Sequence, residues 1–300
     1  MNKKIIFHIL ALFTAMVWGS TFAVSKVLLN QGMSPAEIMT LRFIIAYLVM
    51  LPFSHKYLKS KSFKDEFLFI VCGIGGGSLY FLAENTAVEI TKATSTIALL
   101  VCLTPLLTAF VNSIIHKDEK LSKRFLIGSI IALLGTALVV FNGIFVLDDN
   151  PIVILLSLLA CVCWTIYSLV VRKLEPDYGS DVITRKVFFW GVLTMMIYFI
   201  FSPIKTTTEM LTNGKVLFCI LFLALVASLG CYLMWNMILK RIGIVTASNY
   251  LYFNPIVALA TANIVLNEKI TIFAIIGCIF TIFGVYLCNT HKKVIEKYKK

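Results

Sequence analysis

Long apolar runs, separated by short polar stretches, recur from one end of the chain to the other. A bilayer-spanning helix needs roughly 20 predominantly apolar residues, and ten runs approach or exceed that length. They cover about 5–29, 34–54, 67–88, 93–115, 123–143, 151–171, 187–203, 216–238, 244–266 and 270–290. The seventh is the weakest, being short and ending at Pro203. Together the runs fill about two-thirds of the 300 residues and leave no room for a separate soluble domain. The pattern predicts one compact all-α integral membrane protein with ten transmembrane helices.

Part of this pattern is written twice. DEKLSKRFLIGSIIALLG, from Asp118, and NEKITIFAIIGCIFTIFG, from Asn267, are related by a constant offset of 149. They agree at Glu119/Glu268, Lys120/Lys269, Ile127/Ile276, Gly128/Gly277, Ile130/Ile279 and Gly135/Gly284. Trp18 in AMVWGSTFAVSK falls opposite Trp164 in CVCWTIYSLVVR, and Lys26 opposite Arg172. Pro105 in CLTPLLTAF falls opposite Pro255 in YFNPIVALA, and Asn85 opposite Asn236. Four matches in the same order divide the chain into two five-helix units, 1–146 and 147–300. Five is odd, so the second unit must enter the membrane from the opposite side. Inverted repeats of this kind are a transporter signature. Each half can adopt the conformation of the other, which supplies the two sides of an alternating-access machine.

Composition agrees: 59% of residues are hydrophobic and 14% charged, against about 25% charged in soluble domains. A net charge of +12 would suggest nucleic acid if the chain were soluble. With the amino terminus taken as cytoplasmic, 21 of the 27 Lys and Arg residues fall in the inner loops and tails. Only Lys92, Lys205, Lys215 and Lys269 fall in the outer loops, and Lys26 and Arg42 remain inside helices. The positive-inside rule then puts both termini in the cytoplasm, and nucleic acid drops out as a partner. The first run is longer than the 7–15-residue core of a signal peptide, and its place in the repeat makes it integral. All eight cysteines lie within apolar runs, where a thiol behaves as a small hydrophobe, and none has zinc-site spacing. No metal or cofactor is expected.

The residues WGST (18–21), LRF (41–43), the midhelix prolines 105 and 255, and the duplicated EK…G…G resemble EamA-type members of the drug/metabolite transporter superfamily. The resemblance covers nearly the whole chain. It implies helices 1–4 and 6–9 around a central cavity, with helices 5 and 10 peripheral, in the cytoplasmic (inner) membrane. It leaves the substrate open, because the superfamily spans amino acids, nucleotide precursors, amines and drugs. The second copy lacks a Gly after Trp164 and an Arg matching Arg42, so the two halves are not chemically equivalent.

Depth along each helix, at ~1.5 Å per residue, places the site candidates. Trp18, Trp164, Pro105, Pro255 and the glycines Gly75, Gly76 and Gly77 of GIGGGS fall near the bilayer midplane, where transporter sites lie. Proline there frees a carbonyl and permits a bend; the glycines suit helix breaking or close packing equally. Trp18, Trp164 and Tyr252 are too central for the interfacial aromatic belts, to which Trp190 and Tyr198 are assigned. Tyr80, Tyr167, Tyr232 and Trp235 are further substrate-binding candidates. Gly128, Gly135, Gly277 and Gly284 are expected to seat helices 5 and 10 against the core, and Glu119 and Glu268 to act as caps or gate contacts.

Arg42 and Glu84 are the charges deepest in the membrane. An ionised group at the bilayer centre costs roughly 2.5–3.5 kcal/mol and usually faces the interior with a partner, and an arginine fork suits a carboxylate. Two readings stand side by side. In one, a static ion pair locks helix 2 to helix 3. In the other, Arg42 is released to hold a substrate carboxylate, or Glu84 takes a proton that couples transport. The chain has no H-E-x-x-H, G-x-S-x-G or P-loop, so neither an enzyme nor an ATP-driven pump is expected. It also lacks the carbonyl filter or charged ring of a channel.

The function read from the sequence is secondary active transport of a small amphipathic metabolite, amino acids first, with export implied by the resemblance. Multidrug, amine or nucleotide-precursor carriage and, behind them, a channel are the alternatives. The expected partners are the metabolite and membrane lipid, with the chain acting as a monomer or homodimer.

Overall fold

The computed structural model describes residues 3–53, 59–91, 94–116, 121–141, 150–266 and 270–298. Glu119 and Glu268 lie outside the described residues. Helices and short connections account for everything described. In chain order they are α1 (Lys3–Asn30), α2 (Pro35–Met50), α3 (Phe63–Ile90), α4a (Thr94–Val101), α4b (Thr104–Ile115) and α5 (Lys123–Phe141). There follow α6 (Pro151–Leu174), α7 (Ser180–Phe201), α8 (Gly214–Ile242), α9a (Ile244–Ser248), α9b (Asn254–Leu266) and α10 (Ile272–Tyr298). Eight of the described helices are long and apolar enough to cross a membrane.

Local chemistry fixes the helix starts. At α2, Ser34 and Glu37 form a reciprocal capping box behind Pro35, satisfying N–H groups that the first turn leaves free. The Glu37 carboxylate also accepts from Lys205 N and Thr206 N, each at 2.6 Å, tying the start of α2 to the segment after α7. Ser62, Asn150 and Asn213 cap α3, α6 and α8.

Helix α7 begins seven residues before the apolar run that marks it in the sequence. Arg185 and Lys186, read as loop charges, therefore lie inside the helix. Lys186 is buried because Glu66 of α3 receives its ammonium at 2.6 and 2.8 Å. Trp190 is not simply an interfacial ring, since its indole N–H donates to the same carboxylate at 2.6 Å.

Four helices are irregular near their middles. Pro105 and Pro255 each lack an N–H and clash with the carbonyl four residues back. The chain accordingly turns at Cys102–Leu103, and forms a 3-10 stretch over Asn249–Phe253. The Leu251 carbonyl, which Pro255 cannot engage, accepts from the Cys102 thiol at 3.9 Å. Helices α3 and α8 carry π-helical segments at Ile74–Ser78 and Phe222–Gly230. The glycines 75, 76 and 77 thus widen the helix without ending it.

Gly128 and Gly284 approach so closely that a Cβ on either would lie 2.8 or 2.6 Å from the other's carbonyl oxygen, and Gly135 and Gly277 face each other likewise at 2.7 and 2.6 Å. These glycines therefore seat α5 and α10 against each other in antiparallel register, rather than against the core as the sequence suggests. Small residues are what allow membrane helices to approach this far.

Candidate functional site

An aromatic layer spans the centre of the bundle. Trp18 of α1 meets Trp164 of α6 edge to face, with ring centroids 5.0 Å apart. Trp235 lies 5.0 Å from Trp18, and Tyr80 lies 5.2 Å from Trp164. A buried indole or phenol needs a partner for its polar hydrogen, and two rings find one on a π segment. Trp18 Nε1 donates to the Ala227 carbonyl at 3.0 Å, and the Tyr232 hydroxyl donates to the Gly76 carbonyl. The π turns disturb the regular helical ladder at these depths, so that backbone and rings hold one another in place.

A pocket opens on the side of this layer away from the start of α1. Of the sequence candidates, Trp18, Arg42, Tyr80, Glu84, Trp164 and Tyr232 line it. Tyr167 and Trp235 are fully buried behind the layer. Tyr252 lies off the pocket: the 3-10 turn directs it toward α5 and α10, where it packs with Cys102, Ala132 and Val285.

The two deep charges face this pocket without forming an ion pair. Arg42 donates from Nε to Ser228 Oγ at 2.8 Å, and its guanidinium lies 4.3 Å from the Phe81 ring centroid. Glu84 receives the Tyr80 hydroxyl at 2.6 Å. Among the described residues no Lys or Arg nitrogen lies within 4.0 Å of the Glu84 carboxylate. Each charge is held by its own neutral partners, and the space between them belongs to the pocket. The static lock between helices 2 and 3 is not present here.

Toward the start of α1 the bundle is closed by polar cross-links. Tyr167 donates to Asn236 Oδ1, and Asn236 Nδ2 to Thr184, both at 2.8 Å. Arg172 reaches Asn112 at 2.6 Å, and Lys240 reaches the Glu175 carbonyl at 3.3 Å. Glu175, just past the end of α6, is 8% exposed. Burial pushes its carboxyl up to about 7, opposed by Lys240 and Arg172. At the opposite end Lys26 of α1 donates to the Val88 carbonyl at 2.8 Å, completing the last turn of α3 where a cation is favoured.

Sequence reasoning misses several pocket residues, chief among them Thr104 and Asn254. A signal was present: each is the polar residue immediately before a duplicated midhelix proline. Proline breaks the helix there and turns the preceding side chain toward the cavity.

Comparisons with known proteins agree with a membrane transporter. The EamA-like transporter family model matches residues 5–141 and again 151–290. An uncharacterised transporter of Clostridium kluyveri is 27% identical, over 98% of this chain and 96% of its own. A probable amino-acid metabolite efflux pump of Salmonella typhimurium is 26% identical, over 93% of each chain. A solved crystal structure with 16% sequence identity has the same fold, with a TM-score of 0.75 over 96% of this chain and 98% of that one.

Proposed function

Since the chain belongs to the EamA-like transporter family, we propose that it is a secondary active transporter that moves amino acids or close relatives across the cytoplasmic membrane by alternating access. One observation carries the substrate reading. Arg42 and Glu84 present opposite charges to a single pocket and do not neutralise each other. Leaving two charges unpaired at membrane depth is costly, and a ligand bearing both signs repays that cost on binding. The similarity to a probable amino-acid metabolite efflux pump supports export. Glu84 is the coupling residue of this scheme, exchanging a proton as the substrate leaves.

The mechanism rests on two inverted five-helix halves that complete ten spans with both termini in the cytoplasm. Matching positions of the two halves make comparable contacts, which supports it. At an offset of 149, Gly128–Gly284 becomes Gly277–Gly135. At an offset of 151, Gly76 corresponds to Ala227, and each carbonyl receives an aromatic donor. Contacts of this kind are expected around a two-fold axis in the membrane plane. The cross-links from Tyr167, Arg172 and Lys240 then close the cytoplasmic side, and must break when the pocket opens inward.

Counter-flow in proteoliposomes tests the proposal. Liposomes preloaded with unlabelled amino acids should accumulate labelled amino acid transiently and saturably, and Arg42→Gln should abolish the overshoot. Flux that never saturates, or an overshoot untouched by Arg42→Gln, would sink it.

A further inference from the structure

Two residues that line the pocket each carry a buried polar atom with no partner. Trp164 is 5% exposed and Asn254 6% exposed, both line the pocket, and neither Trp164 Nε1 nor Asn254 Oδ1 makes a hydrogen bond. Buried donors and acceptors are nearly always satisfied. Other unpartnered atoms, such as Trp235 Nε1 and Tyr252 Oη, lie off the pocket and carry no such meaning. Asn254 is moreover fixed in place: its own carbonyl would lie 2.6 Å from a Cβ on Gly19, so only glycine lets α1 approach the broken end of α9 this closely.

We propose that Trp164 Nε1 and Asn254 Oδ1 are specificity-determining contacts that, with Arg42 and Glu84, make this pocket select a zwitterion over its amine or its acid alone. The inference rests on the transporter reading of the same site and sharpens it. The four groups form a balanced set. Arg42 and the Trp164 indole only donate, and suit a carboxylate, which only accepts. Glu84 and the Asn254 oxygen accept, and suit an ammonium, which only donates. The two formal charges cancel, so the ligand that leaves the filled pocket neutral is itself neutral overall. An amine lacking the carboxylate strands both donors, and an acid lacking the ammonium strands both acceptors. Sites built to bond a polar group reject analogues lacking it far more strongly than apolar pockets reject a missing methylene. Phe22, Val101 and Leu251 also line the pocket, beside Thr21 and Thr104, and offer a largely apolar surface to the ligand's side chain.

The test uses purified full-length protein and three probes, leucine, methionine and phenylalanine, each beside its decarboxylated amine and its deaminated acid. Binding is measured by ligand-induced thermal shift, and transport by counter-flow. Wild-type protein should bind at least one amino acid and neither of its two fragments. Trp164→Phe, which keeps an aromatic ring but removes the N–H, should weaken that amino acid by about tenfold, the scale of one stranded hydrogen bond. Asn254→Leu should do the same. Asn254→Asp retains the acceptor and should keep amino-acid binding while admitting the amine. Circular dichroism and size exclusion report folding, and Asn254→Asp is isosteric should Asn254→Leu fail to fold. If wild type binds and transports an amino acid and folded Trp164→Phe and Asn254→Asp match it against every probe, the inference is wrong and the transporter reading stands. Equal wild-type affinity for the amine also overturns it. If wild type neither binds nor moves any of the three amino acids, the amino-acid reading fails and this inference with it.

Discussion

The three adjacent glycines of α3 allow one substitution to be graded against its neighbours. Gly→Ala in a helix normally stabilises by roughly 0.5–1 kcal/mol, because glycine gives up more backbone freedom on folding. At Gly75 the added Cβ would lie 3.0 Å from the Cys163 carbonyl, and at Gly77 3.0 Å from Phe43 and 3.2 Å from Gly191 Cα. Both sites need the surroundings to give by a few tenths of an ångström, which roughly offsets the propensity gain. At Gly76 the Cβ would lie 2.5 Å from Tyr167 Cδ2, 2.7 Å from Cγ and 2.9 Å from Cε2, about an ångström inside ordinary contact. Tyr167 cannot simply swing away, since its ring is fully buried and its hydroxyl is bonded to Asn236. Overpacking of this order costs about 1–3 kcal/mol and exceeds the propensity term. Gly76→Ala should therefore lower Tm by several degrees, at about 2–4 °C per kcal/mol for a chain approaching this size. Gly75→Ala and Gly77→Ala should stay within about 2 °C of wild type, on the same scale. Thermal melts monitored by fluorescence-detected size exclusion measure all three. Shortening the neighbour in Gly76→Ala/Tyr167→Leu should recover part of the loss relative to Tyr167→Leu alone. If Gly76→Ala melts at or above the other two, the steric reasoning is refuted.

Three further outcomes follow from the polar contacts. Glu66→Ala should destabilise by about 3 kcal/mol by stranding the buried Lys186 ammonium, and Glu66→Ala/Lys186→Met should melt closer to wild type; a double variant no better than the single would contradict the pairing. Folding raises the Glu175 carboxyl from the ordinary 4.5 to about 7, so the folded protein binds this proton more tightly than the unfolded chain. Its contribution to stability falls as pH rises from about 4.5 to 7, by at most ~1.4 kcal/mol per pH unit, and is flat above that; Glu175→Gln should gain more in Tm over wild type at pH 8 than at pH 5, and a pH-independent difference would count against it. Glu84→Gln protein that folds normally should lose proton-driven flux yet retain exchange in liposomes, whereas unchanged pH dependence of flux would end the coupling role.

The parts of the fold legible in the sequence are those written by apolar length and by chain-breaking residues. The apolar runs that appear as the eight long apolar helices among the described residues, the breaks before Pro105 and Pro255, and the close approach at Gly128 and Gly135 each depend on what one segment can or cannot do locally. Partners are set by three-dimensional placement, and there the sequence misleads in traceable ways. Lys186 and Arg185 read as loop residues because hydropathy counts a charge as a terminator, while the structure tolerates Lys186 inside α7 by supplying Glu66 from a helix 120 positions away. Tyr252 reads as a cavity residue from depth alone, but depth says nothing about rotation, and the 3-10 turn at Asn249–Phe253 points it backward. Asn254, two positions on, lines the pocket instead.

The same distinction explains why Arg42 and Glu84 stand apart. From sequence, two opposite charges on adjacent helices form a pair by default, since each is costly to leave alone in a membrane. In the folded chain each is satisfied separately, Arg42 by Ser228 and the Phe81 face, Glu84 by Tyr80. Neutral partners hold a charge in position without cancelling it, and so leave it available to a ligand. A direct salt bridge would oblige the substrate to break a strong contact before making its own, with the exchange costing about as much as it returns. Serine, tyrosine and an aromatic face cost less to compete with, and they also fix the two charges in place before the ligand arrives. Under the proposed function, a carrier that must bind and then release is served by this intermediate arrangement: two charges that line one pocket, each held by neutral partners and not by the other.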